Sequence, residues 1–227
     1  MTLRGIVFDF DGVIANSEPL HFQGFRNVLA ADGVTLSQAD YYERYLGYDD
    51  AGAFAAISAD QRLNWSDAHI ATLVERKAVQ LERLEAVQSV LFPGAAEAIR
   101  RLAAEGPLAI ASGALRAEIR RILEKERLDG YFAVVVGAED AEASKPSPAP
   151  YQRAVERLAA ARTGWPDTSA YVAIEDSHWG LESARTAGLK TVAVTHTYPA
   201  HTLRADLTVA NLNDLHWSEL AKLVDRV

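Results

Sequence analysis

Short apolar runs recur along the chain at residues 6–10, 108–111, 133–136, 171–174 and 191–194, each separated from the next by a stretch long enough for a helix. That alternation predicts a parallel sheet covered by helices. The gap between the first two runs is far too long for a single crossover, so residues 16–90 must hold something extra. Apolar residues there recur at helical spacing, in Phe22, Phe25, Val28 and Leu29 and again in Ile70, Leu73 and Val74. No β-rich alternation accompanies them, and the segment reads as a helical insertion. Tyr41, Tyr42, Tyr45 and Tyr48 form an aromatic cluster in it, read as packing or lining. Phe92-Pro93-Gly94 marks the return to the sheet, because proline and glycine end one helix and open the next. The expectation is an α/β protein: a doubly wound, Rossmann-like parallel sheet built from residues 1–15 and 91–227, with a helical domain inserted at 16–90.

In an open parallel sheet, ligands sit at the carboxyl ends of the strands. The first run ends at Asp9-Phe10-Asp11-Gly12, the second at Ser112-Gly113, and the fourth at Glu175-Asp176-Ser177. Lys145-Pro146 lies between the third and fourth, ahead of a helix expected to begin near Pro150. A hydroxyl, an ammonium and four carboxylates are thereby placed on one edge of the sheet. Singly each has a plainer reading: Ser112-Gly113 as a cap and turn, Lys145 as a solvated loop residue, Glu175-Asp176-Ser177 as the cap of the helix holding Trp179 and Leu181. Their order and strand-end placement together carry the functional case.

Asp9 and Asp11 stand two residues apart, and close carboxylates repel unless a cation or fixed donors hold them. A hard divalent ion such as Mg2+ takes oxygen ligands and relieves that repulsion. Asp9, Glu175 and Asp176 offer carboxylate oxygens for it and Asp11 a backbone carbonyl. Asp9 can accept a phosphoryl group as an acyl phosphate, and Asp11 can protonate the leaving oxygen and later take a proton from water. Ser112, the backbone N–H groups from Gly113 onward at a helix start, and Lys145 can hold the remaining phosphoryl oxygens.

Composition narrows the partners. The 227 residues carry a formal charge of −8, which argues against a general electrostatic grip on nucleic acid or an anionic membrane. An anionic small molecule must be held locally instead. There is no cysteine, so disulfides, thiolate metal sites and cysteine nucleophiles are excluded. Arg4, Asp9, Asp11 and Glu18 surround the first apolar run, which is too short and too charged for a signal peptide or a membrane span. A cytoplasmic location is expected, and with no long exposed apolar stripe to force an interface, a monomer. His196 and His201 lie in a loop without acidic company and are poor metal ligands.

Asp9-Phe10-Asp11-Gly12-Val13-Ile14, Ser112, Lys145-Pro146 and Ile174-Glu175-Asp176-Ser177, in that order, resemble the four motifs of the haloacid dehalogenase superfamily. The helical insertion resembles its C1 cap, and Glu175-Asp176-Ser177-x-x-Gly180 resembles the β-phosphoglucomutase-like branch of subfamily IA. The resemblance implies Asp9 as nucleophile, Asp11 as general acid and base, Ser112, Gly113 and Lys145 as phosphate binders, and Mg2+ held through Asp9, Asp11, Glu175 and Asp176. It also implies that His21 and Lys77 face the substrate, that residues 15–18 and 89–94 are cap hinges, and that Tyr45, Tyr48, His178 and Trp179 line a specificity surface. Dehalogenase members lack the second aspartate, so Asp11 favours phosphoryl transfer. The mutases of the branch place a cap arginine just after a glycine, whereas Gly47 is followed by Tyr48-Asp49-Asp50. Carboxylates there would repel a second phosphate, unless Arg44 or Arg76 supplies the cation. The expected activity is hydrolysis of a small phosphate ester, with a sugar phosphate favoured. A β-phosphoglucomutase-type reaction, or binding of a phosphometabolite without turnover, remains open.

Overall fold

The structure is a computed structural model that describes residues 2–46, 48, 50–160 and 167–225. It comprises two compact units, Ser17–Val90 and the remainder, Met1–Asn16 with Leu91–Val227.

The inserted unit is helical among its described residues: α1 (Glu18–Ala31), α2 (Gln38–Asp40), a π-helical turn Tyr41–Tyr45, α3 (Asp50–Asp60) and α4 (Asp67–Val87). Pro19 in the first turn of α1 and Ser66, whose hydroxyl accepts from the His69 N–H, start the two long helices. Phe22, Phe25, Val28 and Leu29 of α1 pack with Phe54, Ile57 and Leu73 in one apolar core. Tyr41 and Tyr45 are buried in it, whereas Tyr48 is exposed.

The other unit is built on a six-stranded, all-parallel sheet. Its strands are β1 (Gly5–Phe8), β2 (Leu108–Ala111), β3 (Phe132–Val136), β4 (Tyr171–Glu175), β5 (Lys190–Val194) and β6 (Leu207–Val209), in the order β3-β2-β1-β4-β5-β6. Helices α5 (Ala95–Ala103), α6 (Arg116–Lys125), α7 (Ala149–Ala160), α8 (His178–Thr186) and α9 (Trp217–Asp225) accompany it. β1 is central, with Phe8 opposite Ile110 on one side and Ile174 on the other. Strands covered on both faces read as unbroken apolar runs, and β1, β2 and β4 are buried at every position.

Two elements differ from expectation. The first strand ends at Phe8 rather than at residue 10, because the chain turns out of the sheet at Asp9 and reaches Gly12 at φ +79°. Phe10 is buried within that turn, which is why the apolar run outlasts the strand. β6 was not expected from the apolar pattern, since it is a short edge strand with Thr208 exposed and no fully buried residue.

Candidate active site

The strand order switches beside β1, where an open parallel sheet places its ligands, and Asp9, Ser112, Glu175 and Asp176 lie at the carboxyl ends of β1, β2 and β4. Asp9 is the first residue beyond β1, and its N–H bonds to the Ile174 carbonyl at 2.9 Å. Glu175 closes β4, Asp176 and Ser177 follow it, and Ser112 lies one residue past β2.

Lys145 joins these segments. Its Nζ lies 2.7 Å from Asp9 Oδ1 and 2.6 Å from Glu175 Oε1. Tyr151, fully buried in the first turn of α7, donates its hydroxyl to the same Glu175 oxygen at 2.9 Å. The other oxygen, Oε2, accepts from the N–H groups of Asp176 and Ser177 and from the Ser177 hydroxyl. Ser177 meanwhile caps α8 by accepting from the Gly180 N–H. Capping and site-building therefore share one turn. Gly180 is demanded there, because a Cβ on it would sit 1.7 Å from Glu175 Oε1.

Asp9, Glu175 and Asp176 each present an oxygen within 4.8 Å of the others, an arrangement able to hold a metal ion. Burial pushes Asp9 well above the usual carboxylate range, opposed by Lys145 and reinforced by Glu175 and Asp176. Burial likewise raises Asp176 to about 6, against the hydrogen bond from Thr197. Burial alone would lower Lys145, but Asp9 and Glu175 outweigh it and raise its pKa. Three buried carboxylates share one ammonium here. An all-oxygen donor set short of positive charge suits a hard divalent cation.

The segment after β2 departs from the helix-start expectation in one respect. The Leu115 and Arg116 N–H groups at the start of α6 are taken by the carboxylates of Glu118 and Glu139. The Ala114 N–H goes to the Ser112 hydroxyl oxygen at 3.1 Å. What remains is the Ser112 O–H and the Gly113 N–H, the latter without a hydrogen-bond partner among the described residues. These two donors precede the helix rather than belong to it.

Asp11 is exposed in the turn after β1, bridged to Ala15. His21 and Lys77 belong to the inserted unit. Lys77 is fully buried, pairs with Asp50, meets His21 Nδ1 at 2.9 Å and lies 4.3 Å from the Phe25 ring centre. Burial, and then the Lys77 charge, lower His21 to about 4. Arg44 pairs with Asp60 and Arg76 with Asp32. Gly47 and Asp49 lie outside the described residues. His178 and Trp179 are exposed at the start of α8.

Sequence reasoning missed Tyr151 and Thr197. Tyr151 shares the apolar face of α7 with Ala154, Val155 and Leu158, so its spacing signals only core. Thr197 donates its hydroxyl to Asp176 Oδ2 across a loop, which no local pattern announces.

A family model described as haloacid dehalogenase-like hydrolase matches residues 6–194. A protein named CbbY from Rhodobacter capsulatus is 34% identical over 207 residues, covering 87% of this chain and 88% of that one. Fructose-1-phosphate phosphatase YqaB from Escherichia coli (strain K12) is 28% identical over 195 residues, 84% of this chain and 95% of that one. Among solved structures, CbbY from Rhodobacter sphaeroides in complex with phosphate is similar with a TM-score of 0.74 at 25% identity. That likeness covers 95% of this chain and 96% of the other.

Proposed function

Because the chain belongs to the haloacid dehalogenase-like hydrolase family, we propose that it is a Mg2+-dependent phosphatase acting on a small phosphorylated metabolite, a sugar phosphate foremost. The observation that carries this reading is the convergence of Asp9, Lys145, Glu175 and Asp176 at adjoining strand ends, next to the Ser112-Gly113 donors. Similarity to a fructose-1-phosphate phosphatase supports the substrate class.

Asp9, Glu175 and Asp176, with the Asp11 carbonyl, would hold the Mg2+, whose charge, when bound, draws the phosphate and the Asp9 carboxylate together. An Asp9 oxygen attacks phosphorus while the bond from phosphorus to the ester oxygen breaks, and Asp11 gives its proton to the departing alkoxide. The Ser112 O–H, the Gly113 N–H and the Lys145 ammonium bind the equatorial oxygens as charge develops on them. Water then attacks the acyl phosphate, its proton passing to Asp11, and Asp9 leaves as the carboxylate with inorganic phosphate released. Lys145, already on Asp9, shares its N–H groups with the incoming phosphate.

Ser17–Val90 is read as the cap, with residues 15–18 and 89–94 as hinges, and its His21 and Lys77 as the substrate residues, Lys77 reaching a substrate only by leaving Asp50. Lys77, Arg44 and Arg76 each have a carboxylate partner within the inserted unit. That supports a substrate with one phosphate over the bisphosphate a mutase must clamp.

Phosphorus NMR of the protein with Mg2+ and sugar monophosphates, including fructose 1-phosphate and β-glucose 1-phosphate with a bisphosphate primer, tests the reading. Free phosphate is expected, and its loss in Asp9→Asn. Conversion of the 1-phosphate to the 6-phosphate with little free phosphate would make the protein a mutase. No turnover of any ester, with phosphometabolites still bound, would make it a binding protein.

A further inference from the structure

The loop after β5 has no part in the mechanism above, yet three consecutive residues in it contact three separate parts of the site. The loop is anchored to the edge strand by the Thr195 N–H, which bonds to the Val209 carbonyl at 3.1 Å. His196 stacks on Phe92 with ring centres 3.8 Å apart and planes 20° apart, and its Nδ1 lies 2.9 Å from the Gly12 carbonyl oxygen. A carbonyl only accepts, so Nδ1 carries the proton. Thr197 donates its hydroxyl to Asp176 Oδ2. The Tyr198 ring packs 4.9 Å from that of His178.

The two polar contacts act on neighbouring pieces of chain. A Cβ on Gly12 would sit 2.1 Å from Asp176 Oδ2, so the turn after Asp11 lies directly against the oxygen that Thr197 holds. A carboxylate left to itself turns about its Cβ–Cγ bond. One locked by a hydroxyl on one side and a backbone on the other presents a single arrangement to a cation.

We propose that Thr197 and His196 are positioning residues for the reaction: Thr197 sets the orientation of the Asp176 carboxylate for the divalent cation, and His196 sets the turn that carries Asp11. The inference rests on the reading of Asp176 as a cation ligand and Asp11 as the proton donor. Neither residue touches the substrate in this scheme. Both act through the groups they hold.

The test for Thr197 uses Mn2+ alone as the probe, titrated into the metal-free full chain and followed by electron paramagnetic resonance. Thr197 is solvent-exposed, so Thr197→Val is expected to fold normally. It is expected to weaken Mn2+ binding by about 10-fold or more, the scale seen when ligand-orienting partners are lost, with Thr197→Ser near wild type. Unchanged binding in Thr197→Val, beside tight wild-type binding that Asp176→Asn abolishes, overturns the role of Thr197 and leaves the phosphatase reading standing. Failure of the wild type itself to bind Mn2+ overturns both.

For His196 the readout is a ratio, which a partly unfolded sample does not change. His196→Ala is expected to lose about 10-fold more kcat/KM on a sugar phosphate than on p-nitrophenyl phosphate, whose leaving group needs no proton from Asp11. Equal losses on both esters overturn the role of His196.

Discussion

Tyr151 shows what one buried hydroxyl does in this site. Its ring is wholly enclosed, and its O–H is one of two donors on Glu175 Oε1, the other being Lys145. Burial, and then the charge on Glu175, push the Tyr151 phenol well above its ordinary value, so it is a donor at neutral pH. Tyr151→Phe keeps the packing and deletes the donor. A hydrogen bond to a charged partner contributes about 1.5–3 kcal/mol, so a loss of about 2 kcal/mol is expected, partly softened because Lys145 still holds the oxygen. For a chain of this size that is a fall in Tm of about 4–8 °C, read by calorimetry on metal-free protein. An unchanged Tm would mean that Lys145 alone satisfies Glu175.

Elements place these side chains, and the tightest placement is the first turn of α8 over the end of β4. Gly180→Ala puts a methyl where Glu175 Oε1 and Cδ now lie, at 1.7 and 1.9 Å, so the carboxylate must leave Lys145 and Tyr151 or the helix must shift. Overpacking of this kind costs about 1–3 kcal/mol, and the larger effect falls on turnover, expected to drop by about 100-fold or more with the sheet retained. Gly113→Ala is the contrast, since nothing lies within 4 Å of its Cβ position and its N–H survives. Steady-state assays and thermal melts of both variants check this, and equal behaviour would remove the steric argument. The same scale separates what was legible in the sequence from what was not. Strand ends are written as apolar runs that stop at polar residues, so Asp9, Ser112, Glu175 and Asp176 are placed by the sequence pattern alone. The course of the turns could not be read, because Phe10 is buried outside the strand and prolongs the run. Nor could long-range contacts such as Lys145 to Glu175 or Thr197 to Asp176, which join segments 30 and 21 residues apart. The capping of α6 by Glu139 belongs with these, since the carboxylate comes from the loop after β3.

Across the whole molecule, acid should act in opposite directions on the His21 cluster of the inserted unit and on the strand-end carboxylates of the sheet unit. In the inserted unit, His21 is buried beside the Lys77 ammonium and Asp50, and its pKa falls from 6.5 to about 4. Between those values the unfolded chain binds a proton that the native unit refuses. The stability contributed by the neutral imidazole is therefore complete above pH 6.5, declines as pH falls, and is gone below about 4. A shift of this size corresponds to about 3 kcal/mol. In the sheet unit the sign reverses for the strand-end carboxylates of the metal-free site, although Asp140 and His196, both lowered, act the other way there. Asp176 is raised from 3.8 to about 6, so the native state takes up a proton first, and its contribution is complete below 3.8 and lost as pH rises through 6. Asp9 is shifted in the same direction. A two-state description of the whole chain should accordingly fail on acidification, because the helices around His21 lose support while the strand ends at Asp9 and Asp176 gain it. Hydrogen exchange of chelator-treated protein at pH 7 and pH 4.5, corrected for intrinsic rates, is the direct measurement. Protection in α1 and α4 is expected to fall at the lower pH while β1 and β4 keep or gain theirs, and His21→Asn is expected to flatten the response of the helices. Uniform loss across both units would mean that neither His21 nor the buried acids govern the acid response.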